Sequence, residues 1–369
     1  VKRKFGVFLI LIVFFALGGC GGSRITSAVT SGTLRIARGV ALNYASIYVM
    51  ERKGLLEKYL PGIRIDWIEL GSPSAMSEAF AANRLDISVM GIPQTAIAWD
   101  KGLNIGILSG NVSSPSELIV RDSRIKSLAD FTSSDKIAVN GLGANYQIML
   151  SIASERELGD PHALDNNLVV MANPDATTAL IKGGGISAHF VPLPYLAQEK
   201  NLGFKTILTG PEAFGGDYSA SVIVASKTLH DENPAIMAGF LAALSESISS
   251  INQRHSDVLS IIAETEKITV EEVRQYLDWD GMNFTTVVYG LDVFTDYMFK
   301  ENYISKKPTL EDILWEPALA AIGKRSGEPG ILEVAQKRVA PPPPPPPQIG
   351  ILGNSLASLN SSCNIEKTV

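Results

Sequence analysis

The sequence predicts an α/β protein of two lobes, each a mostly parallel sheet flanked by helices. Three observations predict it. Residues 64–105 contain two successive strand–loop–helix units, whose loops are Gly71-Ser72-Pro73-Ser74 and Gly91-Ile92-Pro93-Gln94. A second set of β/α units runs from about residue 121 to 210. Val222-Ile223-Val224-Ala225 then reads as a strand returning to the first sheet, so the chain crosses between lobes twice, near 110–118 and 215–221. Successive units of this kind put their loops at one edge of a parallel sheet, and open α/β sheets bind ligands at that carboxyl edge.

The elements follow in order. Residues 33–37 form the first strand, and the loop 38–43 leads into a helix over 44–53 with Ile47 and Met50 at helical spacing, ended by Gly54. Pro61-Gly62 turns the chain into a strand at 63–70. A helix with Ala75, Ala79 and Ala82 on one side follows, then a buried strand at 85–90, a helix at 95–100 and a strand at 104–109. Strands are expected at 117–121, 136–140, 168–172, 186–191 and 205–209. Between them lie a helical turn at 127–131, a helix opened by Gly141-Leu142-Gly143-Ala144 and running to about 157, and a helix at 175–182 broken by Gly183-Gly184-Gly185. From Asp231 the chain is helical. Pro234 sits in the first turn, where its missing N–H costs nothing, and Met237, Phe240, Leu241, Leu244, Ile248 and Ile251 share one face. Helices at 258–264, 270–277 (capped by Thr269), 291–301 and 309–314 are expected to pack on the first lobe.

The chain has 369 residues, 46% of them hydrophobic, enough for two lobes with cores. A net charge of −6 argues against a nucleic-acid partner, which requires a basic face. Lys2-Arg3-Lys4 precedes an apolar run from Phe5 to Leu17, shorter than the ~18–20 residues of a membrane span. Leu17-Gly18-Gly19-Cys20 then resembles a bacterial lipobox, which implies a signal peptide over 1–20 and lipidation of Cys20. An ordinary signal peptide is the plainer alternative. Residues 21–31 read as a flexible tether, 32–115 with 216–325 as the first lobe, 116–215 as the second, and 326–369, with prolines from Pro341 to Pro347, as a disordered tail. The only other cysteine is Cys363, so the body between has no disulfide, thiol nucleophile or cysteine metal site. G-x-S-x-G, H-E-x-x-H and Walker A patterns are absent.

Residues 34–314 resemble the solute-binding proteins of ABC importers in the nitrate/sulfonate/taurine group, with the type II periplasmic-binding fold. The resemblance is carried by Gly71-Ser72 before a helix, Asn83-Arg84-Leu85-Asp86-Ile87, Met90-Gly91-Ile92-Pro93, Ser127-Leu128-Ala129-Asp130-Phe131, Gly185-Ile186-Ser187-Ala188-His189-Phe190 and Asn233-Pro234. The family often has Asp where this chain has Ser187. The resemblance implies a membrane-anchored monomer in the cell envelope that captures a small solute by closure of two lobes. It implies ABC permease and ATPase partners, no cofactor and no bond-breaking chemistry. The alternatives are a binder or synthase of thiamine-precursor pyrimidines on the same fold, whose cysteine-rich motif this body lacks, or a sensor subunit presenting ligand to a signalling receptor.

The candidate ligand residues sit at strand-end loops. They are Asn43 and Tyr44 after the first strand, and Gly91, Pro93 and Gln94 after the third, with Gln94 favoured because proline at a helix start is explained by geometry alone. The resemblance adds Ser72, which could equally be an N-cap. Gly143, Asn145 and Tyr146 stand where N–H groups of a helix start attract an anion or carbonyl; the third glycine of a dinucleotide fingerprint is missing. His189 is read either as a core histidine or as a ligand contact, and no second ligand at metal spacing accompanies it. Arg38 is read as solvated or as an anion partner. Trp67, Trp99, Trp279 and Trp315 are read as packing residues.

Overall fold

A computed structural model describes residues 32–39, 41–70, 73–315 and 318. The expected signal peptide, Cys20, the tether, Ser72 and the proline-rich tail lie outside the described residues.

Among the described residues, eleven strands form two sheets. The six-stranded sheet has the order β11-β4-β10-β3-β1-β2, built from β1 (Thr33–Arg38), β2 (Arg64–Glu69), β3 (Ile87–Met90), β4 (Ile105–Ser113), β10 (Ser221–Ser226) and β11 (Asn283–Phe284). The five-stranded sheet has the order β7-β6-β8-β5-β9, from β5 (Ser116–Val120), β6 (Ile137–Val139), β7 (Leu168–Val170), β8 (Ala188–Pro192) and β9 (Lys205–Thr209). In the first sheet β1 is parallel to β2 and β3, while β10 is antiparallel to both β3 and β4, so β1 to β4 share one direction. In the second, β5 alone opposes β6, β7, β8 and β9. The reversed strands β5 and β10 are the ones entered directly after each passage between sheets, at 113–116 and 209–221.

The two passages are tied together. The Tyr218 hydroxyl lies 2.7 Å from the Ser116 hydroxyl and donates to the Ser114 carbonyl (3.2 Å). A Cβ on Gly210 would stand 2.6 Å from the Tyr218 hydroxyl oxygen, so the close approach of the passages requires glycine there.

The core lies where apolar strands meet helix faces. Helix Pro234–Asn252 packs on helices Ala45–Arg52 and Leu55–Tyr59 through Phe240, Leu244 and Ile251, all fully buried. Its length and composition would suit a membrane span, but half of it is buried in the protein and Ser247 Oγ donates to the Ser46 carbonyl (2.8 Å), so it is a core helix here. Each such buried aliphatic or aromatic side chain contributes about 1.5–3 kcal/mol. Arg35 fixes β1 to the start of β3 through Nε and Nη2 bonds to Asp86 (2.9 and 2.6 Å). Ser187 donates to Asp135 (2.9 Å), which also accepts from Thr132 and Arg124, so the serine at this position closes a local network.

Several elements differ from expectation. The helix expected at 95–100 begins at Ile92, with Gly91 as N-cap and Pro93 in the first turn. β4 continues to Ser113 through Gly110 and Asn111, because β10 lies alongside it over that length. Helices Leu55–Tyr59, Tyr195–Asn201 and Gly210–Phe214 and strand β11 were not expected. Helix Leu291–Lys300, expected on the first lobe alone, packs on helices Ile92–Asp100 and Asn145–Leu158 and so touches elements of both sheets. Its Tyr297 hydroxyl lies 2.9 Å from Ser151 Oγ on the latter.

Candidate functional site

The site is built by helix starts at strand ends. β1 and β3 are parallel neighbours, with Ile36 opposite Ile87, so the loops that follow them open side by side. Gly91 extends β3 with φ −78° and caps helix Ile92–Asp100. In the other sheet β6 ends at Val139, and the loop 140–144 opens helix Asn145–Leu158. Gly143 has φ +70° in that loop and its N–H donates to Gln147 Oε1 (2.9 Å). A Cβ on Gly143 would lie 2.8 Å from Ile97 Cδ1, on the first sheet's helix. The two helix starts therefore meet, and glycine is needed at Gly143 both for its left-handed backbone and for space.

The meeting point is polar. A Cβ on Gly91 would fall 2.1 Å from Gln94 Oε1 and 2.5 Å from Asn145 Oδ1. Asn145 is 6% exposed, and its Nδ2 donates to the Ala220 carbonyl (3.1 Å) in the return passage. Among the described residues Gln94 Oε1 and Asn145 Oδ1 are both buried without a hydrogen-bond partner. Neither helix start carries a side-chain cap. Two electropositive helix ends and two unsatisfied acceptors thus share a small volume between the sheets.

Of the expected ligand residues, the structure brings Gly91, Gln94, Gly143 and Asn145 together. Pro93 is buried in the first turn beside them and serves the helix start. Asn43 and Tyr44 lie at the same sheet edge. The Asn43 carbonyl accepts from Asn111 Nδ2 (2.8 Å), and the Tyr44 ring covers Gly39, while burial pushes its hydroxyl up to about 12.

Two of the candidate residues are packed elsewhere, and for His189 this is the core reading of the two. The Tyr146 ring stacks on Phe190 at 5.3 Å, because the second helical residue turns back onto β8. His189 does not reach the gap. It stands three residues before Pro192 at the end of β8, about 10 Å from the carboxyl edge at ~3.3 Å per residue. Strand alternation aims Phe190 at Tyr146 and sends His189 to the opposite face, where its Nδ1 meets Glu199 Oε1 at 2.8 Å, both residues being 0% exposed. Thr177 Oγ1 donates to the same oxygen (2.8 Å).

Arg38 pairs with Glu51 (2.6 Å) and Glu69 (3.7 Å), so it is neutralised within the protein. The hollow that these residues line with Tyr48, Arg52 and Thr265 lies at the ends of β1 and β2. Its charges are already paired within the protein. The four tryptophans are partly buried packing residues, as expected. Sequence reading missed Asn111, whose fully buried amide donates to the Asn43 carbonyl and to Ser221 Oγ (3.0 Å). It also missed Tyr218 and Glu266. None carries a motif; Gly110-Asn111 reads as a loop until β10 is placed beside it. No group of three or more His, Cys, Asp or Glu is arranged to hold a metal among the described residues.

The chain is similar to a Bacillus subtilis (strain 168) protein named "Putative aliphatic sulfonates-binding protein", 21% identical over 84% of this chain and 94% of that one. A protein of the same name from Escherichia coli (strain K12) is 23% identical over 71% and 83%. Among solved structures, the periplasmic aliphatic sulphonate binding protein SsuA from Escherichia coli superposes with TM-score 0.63 at 20% identity, covering 77% of this chain and 92% of SsuA. The alkanesulfonate-binding protein SsuA from Xanthomonas axonopodis pv. citri, bound to MOPS, gives 0.63 at 14% identity, covering 77% and 98%. These structures share the periplasmic-binding fold with the chain. The family description "NMT1/THI5 like" matches residues 41–254, more than half of the sequence, and the chain belongs to that family.

Proposed function

We propose that this protein is the solute-capturing component of an ABC importer and binds a small organic sulfonate between two lobes. The observation that carries the reading is the meeting of two uncapped helix starts, at Gly91 and Asn145, from two different sheets. Each sheet supplies half of the contacts, so solute affinity and lobe closure are coupled. The first lobe takes 32–115 with 216–325 and the second 116–215, with the Tyr218–Ser116 contact at the hinge. Asn43, Tyr44, Gly91, Pro93, Gln94, Gly143 and Asn145 line or support the site. The resemblance to importer receptors and the names of the relatives support a sulfonate as solute, an extracytoplasmic location, and permease and ATPase partners. The lipobox-like Leu17-Gly18-Gly19-Cys20 supports a lipid anchor at Cys20 on a monomeric receptor. The protein breaks no bond, a reading that the missing cysteine-rich motif supports.

The test is thermal unfolding with millimolar alkanesulfonates, compared with the Gly91→Ala variant. A solute at 100 times its Kd adds ~2.7 kcal/mol to stability. Gly91 has an ordinary φ, so alanine adds no backbone strain, but its Cβ displaces Gln94 and Asn145. We expect a raised melt in the wild type and a response at least tenfold weaker in the variant. An equal response from both places the site elsewhere; a rise with nitrate or pyrimidines but no sulfonate overturns the solute class.

A further inference from the structure

We infer that residues 285–306 form a strap that holds the two lobes shut, and that the lobes part only when the far end of this strap releases helix Asn145–Leu158. The inference goes beyond the receptor reading and needs no solute.

The strap is rooted on the first lobe at both ends and reaches the second in between. It begins beside the two passages. The Thr285 N–H donates to the Asn111 carbonyl (3.1 Å), the Gly110 N–H donates to the Thr286 carbonyl (2.9 Å), and the Tyr289 N–H donates to Ser219 Oγ (3.0 Å). A Cβ on Gly110 would fall 2.2 Å from the Val287 carbonyl oxygen, so the strap lies flush on the first passage. Helix Leu291–Lys300 then runs about 15 Å away from this pivot. Along it, Phe294 meets Phe214 with ring centres 4.5 Å apart, the Tyr297 hydroxyl lies 2.9 Å from Ser151 Oγ, and Lys300 pairs with Glu155. Just beyond, Gln147 Nε2 donates to the Tyr303 hydroxyl (2.7 Å), and Glu301 lies 3.6 Å from His162 Nε2. The chain then returns to the first lobe. The Ser305 and Lys306 N–H groups and the Ser305 hydroxyl donate to Asp100, each at 2.9 Å, at the end of helix Ile92–Asp100.

The contacts change character along the strap. Near the pivot, where rotation of one lobe on the other moves atoms least, the contact is apolar, Phe294 on Phe214. Farther out it is polar. Gln147, Ser151 and Glu155 recur every four residues on one face of helix Asn145–Leu158, and each meets a polar group of the strap. Water can take over such bonds one for one, so this end separates at modest cost, as polar interfaces between domains do. Gln147 also ties the latch to the lobe boundary. It is 4% exposed, and its Oε1 accepts the Gly143 N–H (2.9 Å) while its Nε2 holds Tyr303. One buried amide thus joins the far end of the strap to the loop that meets Ile97 of the first lobe.

The experiment compares the wild-type full chain with the double variant Tyr297→Phe/Tyr303→Phe, which removes two hydroxyls and keeps both rings. Small-angle X-ray scattering without solute reads the separation of the lobes, and thermal melting reads the fold. Losing two net hydrogen bonds shifts the ratio of parted to shut molecules about tenfold to a hundredfold. We expect the radius of gyration of the variant to exceed that of the wild type by about 5%, with the melt lowered by less than about 10 °C. A purely structural role lowers the melt and leaves the radius unchanged, and that result overturns the inference. So does a wild type already as extended as the variant. If the double variant melts lower than this limit, Tyr303→Phe alone is read by the same criterion. No solute is present, so the sulfonate reading can fail in its own assay while the strap stands.

Discussion

Glu266→Gln is expected to stabilise the protein above neutral pH and to leave it unchanged in acid. Glu266 is the last residue of helix Ser256–Glu266, where the helix carbonyls already make the potential negative. Burial pushes its carboxyl up from 4.5 to about 7, while the bond from the Tyr48 hydroxyl (3.3 Å) pulls the other way. Tyr195, which opens a helix on the second sheet, is raised by burial and then by the charges of Glu266 and Asp175. A carboxyl that is neutral in the folded state and charged in the unfolded one binds an extra proton on folding between pH 4.5 and 7. The stability it contributes is present below 4.5 and lost as pH rises through 7. The difference of about 2.5 units corresponds to roughly 3 kcal/mol at most, reduced by whatever solvent the half-buried side chain retains.

Glutamine keeps the acceptor for Tyr48 and removes the charge. Urea unfolding at intervals between pH 4 and 9 gives the stability of both proteins, and their difference cancels the titration of every other group. That difference is expected near zero at pH 4, growing through pH 5 to 7 in favour of the variant, and constant above. A difference of constant size across the range, or one favouring the wild type at pH 8, would refute the reasoning.

Two further outcomes follow from buried polar networks. Asp135 is desolvated, yet bonds from Thr132, Arg124 and Ser187 hold its carboxyl well below the usual range. The stability this contributes is present at neutral pH and is lost as pH falls below about 4. Asp135→Ala should cost about 1–3 kcal/mol in urea unfolding at pH 7, through the donors it leaves unpaired, and flatten the acid limb of the stability profile. His189→Leu leaves Glu199 Oε1 with Thr177 as its remaining partner, so it should lower stability by about 1–3 kcal/mol while solute affinity, read by calorimetry, stays within about twofold. A large loss of affinity with normal stability would return His189 to the gap.

Much of the fold was legible because local chemistry and tertiary packing agree. β1 and β2 interleave apolar with charged residues and β3 is a short buried run, each bounded by turn residues, and their neighbours in space are their neighbours in sequence or nearly so. Helix Gly210–Phe214 was legible in principle, since Thr209 and Glu212 form a capping box whose spacing stands in the sequence. Helix Tyr195–Asn201 was hidden because Pro192-Leu193-Pro194 reads as a turn, although proline before a helix is compatible with its start. β11 has two residues and exists only through its pairing with β4, which no local signal announces. The raised carboxyl of Glu266 depends on how deeply one helix end is covered, again a property of the assembled fold.

The same distinction divides the candidate site. A βα loop at a strand end must lie at the carboxyl edge whatever its side chains, so Gly91, Gln94, Gly143 and Asn145 could be placed from topology alone. His189 and Tyr146 could not, because their roles depend on phase rather than place. Ala188, His189, Phe190, Val191 and Pro192 are all buried, since both faces of β8 are covered by helices. A strand wrapped on both sides shows no apolar–polar alternation to reveal which residues share a face. Had β8 been covered on one side only, a histidine between two apolar neighbours would have signalled a face of its own. Here the helices Asn173–Lys182 and Tyr195–Asn201 bury that face too, and Glu199, itself held by the Thr177 hydroxyl, supplies a polar partner for His189 Nδ1 there. Helix Asn145–Leu158 presents the same ambiguity one turn long. Asn145 and Tyr146 differ by about 100° of rotation, which aims one amide across the gap to Ala220 and folds the next ring onto Phe190.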